Sequence, residues 1–179
     1  MKIFFYLCLG LVFVDSVFSA TALAENPSQS PSAIEGVRNG KWVSPTVAVG
    51  GVPSQESLKA LSGAGVQVVV NFQTSGEISF DEKRTVEALG MTYLHLPVSS
   101  LADFTDEMLG QVKAVLGPAS SPRKTLVHCA SSNRVGAAFS LMSQRFDGAT
   151  VSEALAIGKL HGMTSLESQV EALLKASAQ

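Results

Sequence analysis

Apolar residues fall in short dense runs along this chain, and polar stretches of two different periods separate them. "VQVVVNF", Val66 to Phe72, is continuous and rich in β-branched residues, which predicts a strand buried on both faces. "MTYLHLPV", Met91 to Val98, and "KTLVHC", Lys124 to Cys129, predict two more strands. "WVSPTVAVGGVPS" predicts an earlier short strand followed by a Gly-Pro turn. The segments between these runs read as helices. Ser54 is placed to cap "QESLKALSGAG", which ends at Gly63 or Gly65. "FDEKRTVEALG" closes at Gly90. Thr105 precedes "DEMLGQVKAVLG", whose Asp106 and Glu107 suit the positive end of a helix. "RVGAAFSLMSQRFDG" is a helix whose small residues permit close packing. Thr150 with Glu153, and Thr164 with Glu167, form capping-box patterns that open "VSEALAIGKLHG" and "SLESQVEALLKAS".

Strands therefore alternate with helices, and helices finish the chain. This order predicts an α/β fold with a mainly parallel central sheet flanked by helices on both faces. There is no internal repeat and no linker after about residue 40, so residues 41–179 read as one domain. In open sheets of this kind ligands sit at the carboxyl ends of the strands, and Cys129 falls at such an end.

Composition narrows the reading. The chain has 179 residues, 46% of them hydrophobic and 16% charged, which excludes a disordered protein. Net charge is −2 and no block of Lys and Arg stands out, so nucleic acid is not an expected partner. The N-terminus has the pattern of a secretory signal: Lys2, an apolar run over residues 3–14, and the small-x-small site Ala22 to Ala24. Asp15 cuts that run well short of the ~20 residues a spanning helix needs. The expectation is a signal peptide over 1–24, a polar leader over 25–40, a periplasmic or secreted product, and no membrane anchor once the signal is cleaved. Cys8 would leave with the signal, and Cys129 would remain without a disulfide partner.

A lone thiol outside the cytoplasm is a liability unless it is buried or used. One reading of Cys129 is an inert core residue, because free cysteine is among the most buried side chains. Its surroundings, "LVHCASSNRVGAA", give another. A buried strand delivers His128 and Cys129, a tight loop follows, and Arg134 opens a helix. Loop amides and a helix N-terminus can converge on an oxyanion. The same field favours a thiolate. A guanidinium can grip two oxygens of a tetrahedral anion side by side. A thiolate beneath that anion is placed for in-line attack.

The loop "HCASSNR" resembles the active-site loop of cysteine-dependent protein tyrosine and dual-specificity phosphatases. With "GGVPSQESLKALSGAGVQVVVNF", "EALGMTYLHLPV" and "VHCASSNRVGAAFSL" in the same order, the chain is most similar to a bacterial branch of that superfamily, the phosphatase-like domain of beta-lactamase-hydrolase-like proteins. The resemblance covers most of the chain after the leader. It implies a three-layer phosphatase-like fold and a phosphocysteine intermediate on phosphate monoesters of a protein or a small molecule. It also implies Cys129 as nucleophile, Arg134 as the phosphate-binding arginine, and the amides of Ala130, Ser131, Ser132, Asn133 and Arg134 as the cradle. No cofactor or metal is implied.

The chain departs from that pattern in three places. Four residues separate Cys129 from Arg134, one fewer than in tyrosine phosphatases and the size associated with rhodanese sulfurtransferases. Ser132 stands where glycine is usual, so a positive φ there would carry strain. Val135 stands where many phosphatases have the Ser or Thr that helps the thiolate leave. The general acid of the family comes from the loop after "MTYLHLPV", where Asp103 is the first candidate and Asp106 the second; a surface loop acid is the alternative for both. His128 either supports the loop or is a strand-end histidine satisfied by backbone. Gln73 either lines the rim or is a loop amide. His95 and His161 have no metal-ligand spacing. Two other functions stay open: a sulfurtransferase using a Cys129 persulfide, and a non-catalytic anion-binding or redox-sensing protein on the same scaffold.

Overall fold

The computed structural model of the protein describes residues 32–177. The expected signal peptide, with Cys8, lies outside the described residues. Five strands form one sheet: β1 (Lys41–Trp42), β2 (Val47–Gly50), β3 (Val68–Asn71), β4 (Thr92–His95) and β5 (Thr125–His128). Their order is β1-β2-β5-β3-β4. The last four of these are parallel to one another, and β1 pairs antiparallel at the edge. This is the α/β, mainly parallel architecture that the alternation of runs predicts.

Among the described residues the α-helices are α1 (Gln55–Gly63), α2 (Glu82–Ala88), α3 (Asp106–Leu116), α4 (Asn133–Asp147), α5 (Val151–Leu160) and α6 (Glu167–Ser177). Successive side chains of a strand point to opposite faces, and here both faces are covered. Ala48, Val69 and Leu126 pack with Leu58 and Leu61 of α1 and Val86 of α2. Val49, Val68, Val70 and Val127 face the other way, onto α3 to α6 through Leu109, Val112, Leu141, Ala154, Val170 and Leu174. That is why β3 and β5 read as continuous apolar runs rather than alternating ones: every residue in them is buried.

The polar leader expected over 25–40 belongs to the fold from residue 32 onward. Val37 is buried, the Ile34 N–H donates to Gly40 O at 2.9 Å, and the Gly51 N–H donates to Arg38 O at 2.7 Å. Arg38, which accepts from Gly51, lies on the leader side of the expected boundary, and no local pattern announces the bond. Helix starts follow the sequence more closely. Ser54 and Thr105 accept from the Ser57 and Met108 N–H groups, and Thr150 and Glu153 form a reciprocal box. Thr164 and Glu167 do not. The Thr164 N–H donates to Asn133 Oδ1 at 2.8 Å, and the Glu167 carboxylate lies 2.6 Å from Lys159 Nζ. Tertiary partners displaced a local motif.

α4 and α5 approach closely because their facing residues are small. At Gly136 an added Cβ would run into the Met163 amide and would sit 2.5 Å from Gly158 O. Both obstacles are backbone, so no side-chain rotation relieves them. Gly136→Ala is therefore expected to destabilise the protein by about 1–3 kcal/mol, the range for overpacked sites, as read by urea denaturation.

Candidate functional site

β5 lies in the middle of the sheet, and its carboxyl end delivers the loop that follows. The Cys129 N–H donates to Gly50 O at 3.2 Å, which holds the first loop residue against β2. Asn39 Nδ2 donates to Ser131 O at 3.0 Å. Ser132 then turns the chain into α4 with φ +74° and ψ −10°, a left-handed conformation. A residue with a Cβ is disfavoured there by ~1–2 kcal/mol.

Contacts from the turn between α5 and α6 offset that cost. Ser132 Oγ donates to His161 O at 3.1 Å. Asn133 bonds the same turn twice at close range: Oδ1 accepts from the Thr164 N–H, and Nδ2 donates to Ser165 Oγ at 2.7 Å. His161 stacks on Phe139 at 3.9 Å between centroids, and its Nδ1 lies 2.7 Å from Ile157 O. Gly162 has no Cβ where one would strike Ser132 Oγ. The loop is thus held from both flanks. Ser131 pairs with Gly51 in an isolated antiparallel bridge, and the N–H groups of Asn133, Arg134 and Val135 open α4, where a helix has no carbonyl of its own to offer them. Successive free amides in a left-handed turn at a helix start are an anion-binding arrangement.

Cys129 is buried, 1% exposed, at the base of this loop. Arg134 is tied down beside it. Nη1 donates to Val98 O at 2.6 Å, Glu77 Oε2 at 2.9 Å and Phe72 O at 3.2 Å, and Nη2 donates to Glu77 Oε1 at 2.7 Å. A guanidinium has five N–H donors. Three are engaged here. No oxygen among the described residues accepts from the remaining edge, Nε–H with the second Nη2–H, and it is an edge that can grip an oxyanion bidentately. Burial works against the Arg134 charge, but the bonds to Glu77 and the neighbouring sulfur of Cys129 outweigh it and raise the pKa. The Arg134 bonds hold the Glu77 carboxyl down at about 2, against partial burial and with help from Thr74.

Glu77 has no counterpart among the residues singled out from sequence. It sits in a short helical turn, Ser75–Glu77, and faces Arg134 across 57 positions of chain. Thr74 donates to it through N and Oγ, and Gln73 Nε2 donates to Glu77 O at 3.0 Å. Gln73 is buried, so it supports the Glu77 turn from behind instead of lining the rim. A cleft of about 630 Å³ opens over Arg134, walled by Val98, Ser99, Ser100, Leu101 and Leu166.

Asp103, the first candidate for the general acid, closes a short helical turn, Leu101–Asp103. Its Oδ2 accepts from the Ser99 N–H at 2.7 Å, Ser99 Oγ at 2.8 Å and the Ser100 N–H at 2.8 Å. These bonds, that of Ser100 first, lower its pKa. They stabilise the ionised form. Asp106 is paired with Arg145 at 2.9 Å. His128 is fully buried with Nε2 2.8 Å from Glu82 Oε1, and His95 Nε2 lies 2.7 Å from Gln73 O. Among the described residues no group of three His, Cys, Asp or Glu side chains could hold a metal ion.

No protein-family model matches the chain, and no curated protein sequence does. Solved structures do. A DUF442 protein from Shewanella putrefaciens CN-32 is 20% identical with a TM-score of 0.59, covering 80% of this chain and 95% of its own. Tk-PTP in its active form is 20% identical with a TM-score of 0.61 over 76% of this chain and 96% of its own. Pseudomonas aeruginosa TpbA, solved as a cysteine-to-serine form in complex with phosphotyrosine, is 21% identical with a TM-score of 0.57 over 83% and 96%. The chain has the fold of the cysteine-dependent tyrosine and dual-specificity phosphatases.

Two measurements test the loop's supports. Burial lowers the His161 pKa from 6.5 to about 4, overcoming the bond to Ile157, with Lys41 adding to the drop. The unfolded chain therefore takes up the proton first, and stability falls as pH drops from 6.5 towards 4. His161→Phe, which keeps a ring on Phe139, is expected to flatten the dependence of Tm on pH in that window. At Ser132, glycine removes the left-handed penalty of ~1–2 kcal/mol but also a hydrogen bond worth about 0.5–1.5 kcal/mol. Alanine removes only the bond. Ser132→Gly should therefore unfold at higher urea than Ser132→Ala and close to the wild-type midpoint.

Proposed function

We propose that the protein is a phosphatase that hydrolyses phosphate monoesters through a phosphocysteine intermediate. The free edge of Arg134, beside the Cys129 sulfur and the amides that open α4, is the observation that carries this reading. In the first step the Cys129 thiolate attacks phosphorus, an S–P bond forms and the ester P–O bond breaks. The loop amides and Arg134 stabilise the oxygens on which charge is spread. Water then attacks phosphorus, the S–P bond breaks, and thiolate and inorganic phosphate are released. Glu77 serves as the counter-charge that fixes the plane of the guanidinium. The phosphotyrosine bound by TpbA supports a phosphorylated substrate here. The N-terminal pattern of Lys2, apolar run and Ala22 to Ala24 supports action outside the cytoplasm.

The four-residue spacing between Cys129 and Arg134 favours a second reading, sulfur transfer through a Cys129 persulfide. The two separate in one experiment. Mature wild-type protein is expected to release phosphate from 4-nitrophenyl phosphate and to form no thiocyanate from thiosulfate and cyanide. Cys129→Ser should lose phosphate release altogether, and vanadate should protect Cys129 of the wild type from iodoacetamide. Thiocyanate without phosphate release would replace the first reading by the second. Vanadate protection with neither product would leave an anion-binding protein.

A further inference from the structure

The anion loop is held on one flank by the turn between α5 and α6, and on the other by a hook of chain that precedes β1. Val37 anchors the hook in the core, the Gly40 N–H donates to Val37 O at 2.9 Å, and the Gly51 N–H donates to Arg38 O at 2.7 Å. Gly50 and Gly51 let the hook come close. A Cβ on Gly50 would lie 2.5 Å from Val37 Cγ1, and one on Gly51 would lie 2.8 Å from Ala130 O and 2.9 Å from Arg38 O. At the tip of the hook stands Asn39, in the left-handed region with φ +53°. Asparagine enters that region more readily than most residues. From there its Nδ2 reaches across 92 positions of chain and donates to Ser131 O at 3.0 Å. Asn39 is exposed, so this bond, rather than packing, is what its side chain contributes.

The bond falls on the peptide between Ser131 and Ser132. A trans peptide is planar and its N–H points opposite to its C=O. A donor that fixes Ser131 O therefore fixes the Ser132 N–H on the side away from Asn39. Ser132 is the left-handed residue through which the loop enters α4, and its hydroxyl is already committed to His161 O. A donor on the carbonyl also polarises the peptide and strengthens its N–H as a donor, by roughly 10–30%. We propose that Asn39 is a positioning residue for the anion loop: it orients and polarises the Ser131–Ser132 peptide, so that the Ser132 amide joins the N–H groups opening α4 in binding the oxygens of a phosphoryl group. The inference rests on the phosphatase reading above and adds to that machinery a residue from outside the loop. Asn39 touches no reacting atom; it acts through the peptide it holds.

The test compares Asn39→Gly with Asn39→Asp in the mature protein. Glycine keeps the left-handed backbone and removes the donor. Aspartate keeps the shape, but its carboxylate only accepts and so opposes Ser131 O. The probe is inorganic phosphate, read as the concentration that half-protects Cys129 from iodoacetamide. Asn39→Gly is expected to raise that concentration about 3–10-fold, the span of one neutral hydrogen bond, and Asn39→Asp to raise it further. In the aspartate variant the excess over wild type is expected to shrink as pH falls from about 7 towards 5, because a protonated carboxyl donates again. Alkylation without phosphate is expected at the wild-type rate in both variants. Half-protection of Asn39→Gly at the wild-type phosphate concentration would overturn the inference while leaving the phosphatase reading intact. So would equal weakening in both variants at every pH, because that is the mark of a loop that has merely lost its shape. A wild-type protein that phosphate does not protect, and that releases none from 4-nitrophenyl phosphate, would remove the phosphatase reading and this inference with it.

Discussion

Arg134 is held along one edge of its guanidinium and open along the other, and four parts of the molecule have to agree for that to happen. Phe72 supplies a carbonyl just beyond β3, Val98 supplies one beyond β4, the turn at Glu77 supplies a carboxylate, and β5 with its loop brings the arginine itself. A flexible cation in water would sample many rotamers. Here each bond to carbonyl or carboxylate removes some of that freedom before any ligand arrives, which is preorganisation in its simplest form. The pairing is also insensitive to acid over most of the scale, because the Glu77 carboxyl stays ionised down to about pH 2. Titration of Glu77 is therefore no switch for Arg134 in ordinary conditions.

The loop itself obeys a second constraint. The four-residue connection from β5 to α4, Cys129 to Ser132, passes through one left-handed residue, and in this chain that residue is a serine. The penalty and the hydrogen bond from Ser132 Oγ to His161 O are of similar size, about 1 kcal/mol each. Their near-cancellation explains how a serine survives at a position that favours glycine. It also makes the loop depend on a segment some thirty residues downstream. Asn133 reinforces the dependence, since its amide replaces the cap that Thr164 and Glu167 would otherwise give α6. The Gly136 and Gly158 contact between α4 and α5 sets how near that downstream turn can come.

Which features were legible in the sequence follows from how local their causes are. The strands Val68–Asn71 and Thr125–His128 show plainly, because burial on both faces demands an unbroken apolar run. The caps at Ser54, Thr105 and Thr150 show too, because donor and acceptor lie within three positions. Glu77 does not: an acid in "QTSGEISF" has no local mark that distinguishes it from a solvated one, and its partner lies 57 positions away. Asp103 shows the opposite case. Its place after β4 suggests an acid, and Ser99 and Ser100 just before it are donors that favour its ionised form. Residues 32–40 read as a leader because their polar composition hides one buried valine and five backbone hydrogen bonds.

His128 shows how far the site's support extends behind the sheet. Its Nε2 lies 2.8 Å from Glu82 Oε1, in a geometry too bent for a hydrogen bond, and both side chains are fully buried. Glu82 Oε2 is satisfied elsewhere, by Asn71 Nδ2 at 2.6 Å and by Tyr93 Oη at 3.3 Å. Asn71 Oδ1 in turn accepts from the Gln73 N–H at 2.7 Å, and Gln73 holds the backbone of Glu77. One chain of polar contacts therefore runs from the residue before the cysteine, through α2 and β3, to the carboxylate that grips Arg134. Buried polar contacts of this kind add little net stability, but leaving one partner unpaired is costly. The network's consequence is geometric: a shift of β3 against β5 would break a contact at each end. The spacing between Cys129 and the Glu77–Arg134 pair is thereby tied to the register of the central strands.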